Sequence, residues 1–358
     1  MLDGFFAGRG VALLSVQHGV RVPRRFSDAS VEHLATRRAA GLFDFSFMGR
    51  YEISGRESRG FLDWLQTRCL TTLRPMTACY TLLCREDGTV LNDATLWNLG
   101  GGRFWLFTGR RSDFQDIATA AAAFDVHVED CSGQFAVLAI QGPLSTRLIA
   151  RIFGRDVVAT LRYFQFARAG WRGHDLWVAR LGYSGELGYE LLVSADAAVD
   201  LWNALVAVGA AEGLRECGFE AADSLRIESG YILFTRELAQ DVSPHELGLA
   251  RLVCFDGRQF RGRASLWPQR WRAPVRRLCG ILPGRPRAPA VRDPELARVT
   301  SECRSPLLGR SLALGLVADG ASAPGSLVAL EDGRIGRVAR LPFYDPPRIL
   351  PRRLPISF

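Results

Sequence analysis

Residues 80–108 read Tyr80-Thr-Leu-Leu-Cys-Arg-Glu-Asp-Gly-Thr-Val-Leu-Asn-Asp-Ala-Thr-Leu-Trp-Asn-Leu-Gly-Gly-Gly-Arg-Phe-Trp-Leu-Phe-Thr108. Three β-rich runs, at 80–84, 89–98 and 104–108, are separated by Glu86-Asp87-Gly88 and Gly100-Gly101-Gly102, both hairpin signals. An antiparallel meander follows. Downstream, Ser112-Asp113-Phe114-Gln115 has capping-box spacing and opens an alanine-rich helix to about Phe124, with a further strand at 126–129. Upstream, Ser30 precedes an apolar-periodic run that stops at Gly41, the pattern of an N-capped helix with glycine past its end. Helices are also expected at 144–153, stopped by Gly154, and from about Asp196 to Gly209 with Leu201, Leu205 and Val208 on one face. From Leu278 the chain turns to proline, glycine and short apolar runs, read as a small all-β domain, with the arginine- and tryptophan-rich stretch 261–277 as linker. The class is α+β with antiparallel sheets, not a series of βαβ units.

The 358 residues allow two or three domains with a substantial core. No stretch approaches the ~18 apolar residues of a membrane span, and Met1 to Gly10 carries no signal-peptide pattern, so a cytoplasmic location is the default. The eight cysteines form no C-x-x-C pair and have no histidine at ligand spacing, so they are expected to be reduced core residues, with no metal site. Every basic residue is arginine; the absence of lysine excludes a P-loop, a pyridoxal Schiff base and a serine–lysine dyad. The formal charge of +8 is spread along the chain in small clusters. That distribution reads as a solvated surface, with nucleic acid the lesser alternative.

Three segments could carry chemistry. Asp93 lies in a mostly apolar strand, where alternation groups it with Leu91, Thr95 and Trp97. Such a carboxylate is costly to bury and suits general-base or orienting work, while the plainer reading is an edge acid facing water. Gly182-Tyr-Ser-Gly-Glu-Leu-Gly-Tyr-Glu-Leu191 spaces three glycines evenly, which marks a loop turning tightly or approaching a ligand. A glutamate there can accept two parallel N–H bonds, as the amino-pyrimidinone edge of a pterin or guanine would offer. Asp223-Ser-Leu-Arg-Ile-Glu-Ser-Gly-Tyr231 reads as a helix with an Arg–Glu polar side, for which a structural ion pair is the simpler account.

Taken in order, these segments resemble the aminomethyltransferase (glycine cleavage T-protein) family. The resemblance starts at His33-Leu-Ala-Thr-Arg-Arg-Ala-Ala-Gly-Leu-Phe-Asp-Phe-Ser-Phe-Met48-Gly-Arg and runs through Glu86 to Asp93 and Leu138-Ala-Ile-Gln-Gly-Pro143. It continues in the glycine loop, Asp223 to Leu238, and Gln259-Phe-Arg-Gly-Arg-Ala-Ser-Leu266. It closes with Ser305-Pro-Leu-Leu-Gly-Arg-Ser-Leu-Ala-Leu-Gly315 and Leu341-Pro-Phe-Tyr-Asp-Pro346. It implies a three-lobed fold around tetrahydrofolate: a discontinuous folate-binding part at 1–50 and 135–260, an inserted part at 51–134, and a C-terminal β-barrel at 275–358. Asp93 would be the catalytic acid/base near the reacting nitrogens and Glu190 the grip on the pterin edge. Tyr80 and Tyr183 would line the pterin site, Arg287 would reach the distal part of the cofactor, and Thr108 and Arg226 complete the cofactor-binding set.

Departures from the family pattern are Phe47 in place of histidine, Ala222 in place of arginine, and Thr108-Gly109. The last resembles the folate domains of dimethylglycine and sarcosine dehydrogenases. No flavin-type G-x-G-x-x-G unit precedes the region, so the chain alone is not expected to oxidise an amine. The expected function is a tetrahydrofolate-dependent one-carbon transferase fed by a methylamine-type or lipoyl-carrier-bound donor, with an acidic carrier protein or a separate dehydrogenase subunit as partner. The alternatives are a non-catalytic folate-binding protein or a folate-binding subunit of an amine oxidase or demethylase.

Overall fold

Strand alternation decides which side chains meet at the centre. In the computed structural model, which describes residues 2–17, 19–159, 161–286 and 295–353, the strands Thr77–Cys84, Val90–Gly100 and Arg103–Thr108 form the expected meander. Gly49–Ser54 and His127–Asp130 extend it to a five-stranded antiparallel sheet. One face carries Cys79, Leu83, Ala94 and Leu96 against the helices Ser58–Leu65 and Asp113–Ala121. The other turns Tyr80, Leu82 and Asp93 toward the middle of the molecule.

A six-stranded sheet opposes it, ordered Phe166–Trp171, His174–Ala179, Gly188–Ser194, Phe135–Gln141, Ala40–Asp44 and Leu214–Glu216, parallel only at its last pair. Tyr189, Leu191 and Val193 pack outward with Leu148, Leu201, Trp202 and Leu205 of the helices Ser145–Phe153 and Ala198–Gly209. Each fully buried side chain of this size contributes about 1.5–3 kcal/mol. Their neighbours Glu190 and Leu192 therefore face the centre. Residues 275–353 begin with a closed five-stranded barrel, Arg276–Pro286, Arg310–Ala318, Leu296–Ser305, Leu327–Leu330 and Arg334–Ala339, around Ile281, Ala313, Val317 and Val328. Among the described residues, no helix is long and apolar enough to cross a membrane.

Local readings needed correction at several points. The first long helix is Ala29–Arg38, and Asp28 caps it by accepting from the Ser30 and Val31 amides; Ser30 lies inside the first turn, and Gly41 belongs to the next strand. Ser112 makes no side-chain cap, because the turn is set by Asp113 donating its amide to the Arg110 carbonyl. The stretch 261–277 is not an open linker. It folds into the turns Arg263–Leu266 and Pro268–Trp271, and Leu266 is fully buried.

The lobes are joined by a buried polar network. Arg37 donates to Glu228 Oε2 from Nε and Nη2 (3.0 and 2.8 Å), and Nη1 reaches Glu186 Oε1 at 2.9 Å. His33 Nε2 lies 3.0 Å from Glu228 Oε1, which also accepts from Ser305 Oγ of the barrel. The Glu228 carbonyl accepts the amides of Phe343 and Tyr344, and the Tyr344 ring lies under Arg37 at 4.0 Å. Burial opposes ionisation of Glu228, but the His33 hydrogen bond, the Arg37 charge and Ser305 outweigh it and hold its carboxyl below the ordinary glutamate range. Removing the cation leaves two carboxylates in a dry junction. Arg37→Leu is expected to lower the unfolding free energy by about 3–5 kcal/mol in urea denaturation; a loss below about 1 kcal/mol would show that the network adds nothing net.

Candidate active site

Tyr80 and Asp93 come from adjacent antiparallel strands in which Tyr80 pairs with Thr95 and Leu82 with Asp93. The diagonal lets the Tyr80 hydroxyl donate to Asp93 Oδ2 at 2.8 Å. Behind them, Asn92 Oδ1 accepts the Asp93 amide at 2.9 Å, and its amide nitrogen donates to Asp113 Oδ2 at 2.5 Å. Asp113 in turn lies 3.4 Å from Arg110 Nε. Asp93 thus sits on a braced strand. Burial pushes its carboxyl up to about 6, with the Tyr80 hydrogen bond opposing and Asp113 reinforcing that shift. The Tyr80 phenol is driven well above its ordinary value, first by burial and then by the Asp93 charge.

Glu190 stands on the facing sheet, between Ala139 and Ala179 in register. Its carboxyl is pushed up to about 8 by burial alone. Among the described residues no cation and no hydrogen-bond donor meets it. Yet Tyr80, Asp93, Tyr183 and Glu190 all keep partial exposure. Side chains that are desolvated but still reachable are the kind that line a ligand site.

The glycine loop frames the far side. A Cβ on Gly182 or Gly188 would overlap the Gln141 side chain, and one on Gly185, at φ +78°, would overlap Ser229 Oγ. The spacing therefore seats Gln141 and Ser229 against the backbone, a close approach to protein groups. It also fixes Tyr183, whose hydroxyl donates to the Ile232 carbonyl at 2.5 Å and whose ring stacks on Tyr231 at 5.9 Å and 24°.

Two expected binders are engaged elsewhere. Thr108 is 2% exposed and donates to the Arg110 carbonyl at 2.9 Å, so it orders the turn that aims Arg110. Arg226 is fully buried and bonds Asp223 (2.8 Å), Glu237 (2.9 Å), the Tyr231 carbonyl (3.1 Å) and Ser301 (2.6 Å), which spends its donors on the barrel junction. The structural ion pair expected of this helix is thus present, with Glu237 and Asp223 as the partners of Arg226 and Arg37 as that of Glu228. Arg287 lies outside the described residues. Trp97, grouped with Asp93 by alternation, instead stacks on Phe166 at 4.6 Å in the core; the ring at Asp93 is that of Tyr80. Phe47, at the position where histidine was expected, packs with Phe219 and Phe234.

Sequence reading missed Asn92 and Asp113 as braces, and Tyr163 as a wall. Burial, Tyr231 and Glu190 all raise the Tyr163 phenol, and Arg352 lies over its ring at 5.3 Å. The only sequence signal for Asn92 was its adjacency to Asp93. Tyr163 gave none.

Two family models match the chain: the GCVT N-terminal domain over residues 6–257 and the glycine cleavage T-protein C-terminal barrel domain over residues 276–345. The chain belongs to the glycine cleavage T-protein family. Similar curated relatives are aminomethyltransferases of Streptomyces coelicolor, 36% identical over 91% of this chain and 92% of theirs, and of Bacillus subtilis, 32% identical over 91% and 93%. The crystal structure of glycine cleavage system aminomethyltransferase T from Bartonella henselae superposes with a TM-score of 0.83 at 24% identity, covering 96% of this chain and 97% of that one, and so shares the three-lobed T-protein fold.

The raised Glu190 carboxyl gives a signed test. Between its ordinary 4.5 and about 8 the native state holds a proton the unfolded chain has lost, so stability falls across that interval and the full penalty stands above 8. Glu190→Gln should match the wild type in thermal midpoint near pH 4.5 and exceed it at pH 8.5. Equal midpoints at both values would mean Glu190 is not desolvated.

Proposed function

We propose that this T-protein family member is an aminomethyltransferase-type enzyme that passes a one-carbon unit from an aminomethyl-type donor to tetrahydrofolate. One observation carries the reading: Glu190, with no partner among the described residues, and Asp93, held by Tyr80, are both desolvated yet partly exposed on the inward faces of the two sheets. The residues fit the cofactor. A desolvated carboxylate stabilises a pair of N–H donors such as the pterin edge presents, and Tyr183, Tyr231 and Tyr163 supply flat apolar walls. Bound tetrahydrofolate supplies the nitrogens that accept the one-carbon unit.

Asp93 does the proton work. With its carboxyl near 6 it is ionised at neutral pH yet basic enough to take a proton at the reacting nitrogen. Tyr80 fixes which carboxylate oxygen points inward, and the Asn92–Asp113–Arg110 chain holds the strand still, so little reorganisation is needed. Thr108 supports Arg110, and Arg226 locks the junction without touching ligand. A binding-only role is not favoured, since it leaves the Tyr80–Asp93 pair without a task. The net charge of +8, carried on arginine, favours a donor delivered on an acidic carrier protein. Eight free cysteines suit a reducing compartment such as the cytoplasm.

Calorimetry and turnover separate the two carboxylates. Asp93→Asn is expected to leave tetrahydrofolate affinity nearly intact and to lower turnover by two or more decades; unchanged turnover removes Asp93 from the mechanism. The wild-type kcat/KM should fall as pH drops below about 6, and that limb should vanish in Asp93→Asn. Glu190→Gln should weaken tetrahydrofolate binding, because a donor replaces one acceptor. Unaltered affinity in that variant would end the pterin-clamp assignment.

A further inference from the structure

Away from Asp93 and Glu190, two loops distant in sequence are held side by side. Cys69 lies in the turn that leaves the helix Ser58–Leu65, and Cys254 follows the turn Ala250–Leu252. The Cys254 amide donates to the Thr67 carbonyl at 2.9 Å. Arg258 binds the same loop, its guanidinium donating to the carbonyls of Asp63, Gln66 and Thr67, among them carbonyls the helix end leaves unpaired. The clamp brings Cys69 Sγ, Cys254 Sγ and an Asp256 carboxylate oxygen within 4.8 Å of one another. The cysteines are half-buried and Asp256 is exposed. Two thiols and one carboxylate thus converge on a single spot. Thr71 Oγ1, 2.8 Å from Cys69 Sγ, is placed to donate to a thiolate there.

We propose that Cys69, Cys254 and Asp256 form a site for a thiophilic divalent cation of the zinc class. On binding, the two S–H bonds break, their protons pass to solvent, and two metal–thiolate bonds and one metal–carboxylate bond form, with water as the fourth ligand. Metal–sulfur bonds of ~2.3 Å give a tetrahedral edge of roughly 3.8 Å. The observed spacing therefore needs closure of about 1 Å or less. A simple disulfide would have no use for the carboxylate. Two thiolates and a carboxylate around a divalent ion carry one net negative charge, and Arg258 Nε, 3.5 Å from Asp256 Oδ1, offsets it. The bound ion staples the five-stranded lobe to the segment that leads into the barrel.

Cadmium titration of the full chain under a non-thiol reductant tests the site, because cadmium–thiolate bonds absorb in the ultraviolet. One saturable equivalent is expected, with release of two protons. The band should be lost in Cys69→Ser and in Cys254→Ser, and affinity should be weakened about tenfold or more in Asp256→Asn. Zinc should compete for the site and raise the unfolding midpoint of the wild type but not of Cys254→Ser. The proposal fails if no saturable band forms, or if the band survives in the Cys69→Ser/Cys254→Ser double variant, where it would belong to other thiols. It fails equally if the oxidised protein shows a Cys69–Cys254 disulfide while the reduced protein binds no cadmium.

Discussion

The fold depends on one buried carboxylate. Glu228 ends the helix Phe219–Glu228 and meets Arg37 and His33 of the first long helix and Ser305 of the barrel, while its own carbonyl takes two amides from the barrel's trailing segment. A charge in so dry a place is tolerable only with every partner present. The position of one lobe is therefore conditional on the other. Two residues back, Arg226 repeats the device with Glu237, which also accepts from Thr300 and Ser301 of the barrel. Two crossed ion pairs thus seal the junction beside the cavity. Hydrophobic contacts alone would allow sliding, whereas directional guanidinium–carboxylate hydrogen bonds do not.

That rigidity fixes how the two sheets face each other. Each turns its alternate face inward and carries one desolvated acid there. Desolvation acts on both carboxyls, yet it leaves them in different states: Asp93, hydrogen-bonded by Tyr80, settles near 6, and Glu190, with nothing opposing burial, near 8. Under the proposed function, the first would exchange a proton near neutrality and the second would await a donor pair. Divergence of this kind between two acids is how a site divides labour.

The departures from the family pattern fall where the structure has packing to do. Phe47 joins Phe219 and Phe234 in an aromatic cluster, so the lost imidazole is replaced by apolar contact. Thr108 serves the turn that carries Arg110. Ala222 lies in the core on the helix that presents Arg226 and Glu228.

Much was legible in the sequence where the physics is local. Hairpin glycines and alternating strands set out the meander, periodicity located the helices 145–153 and 198–209, and the family motifs pointed to Asp93, Glu190, Tyr80 and Tyr183. Longer-range pairing was not legible. Alternation could not tell that Trp97 would leave Asp93 for Phe166, because stacking is chosen by whichever sheet packs opposite. Helix spacing indicated a structural ion pair but not its partners: two residues along a helix diverge by about 200°, so Arg226 meets Glu237 and Glu228 meets Arg37. The chain by itself determined the elements and the identity of the acids, since backbone preference and residue chemistry act over a few positions. Only the tertiary structure decided which acid would be paired, which left bare, and which cysteines would meet, since desolvation and long-range contact exist only once the lobes close.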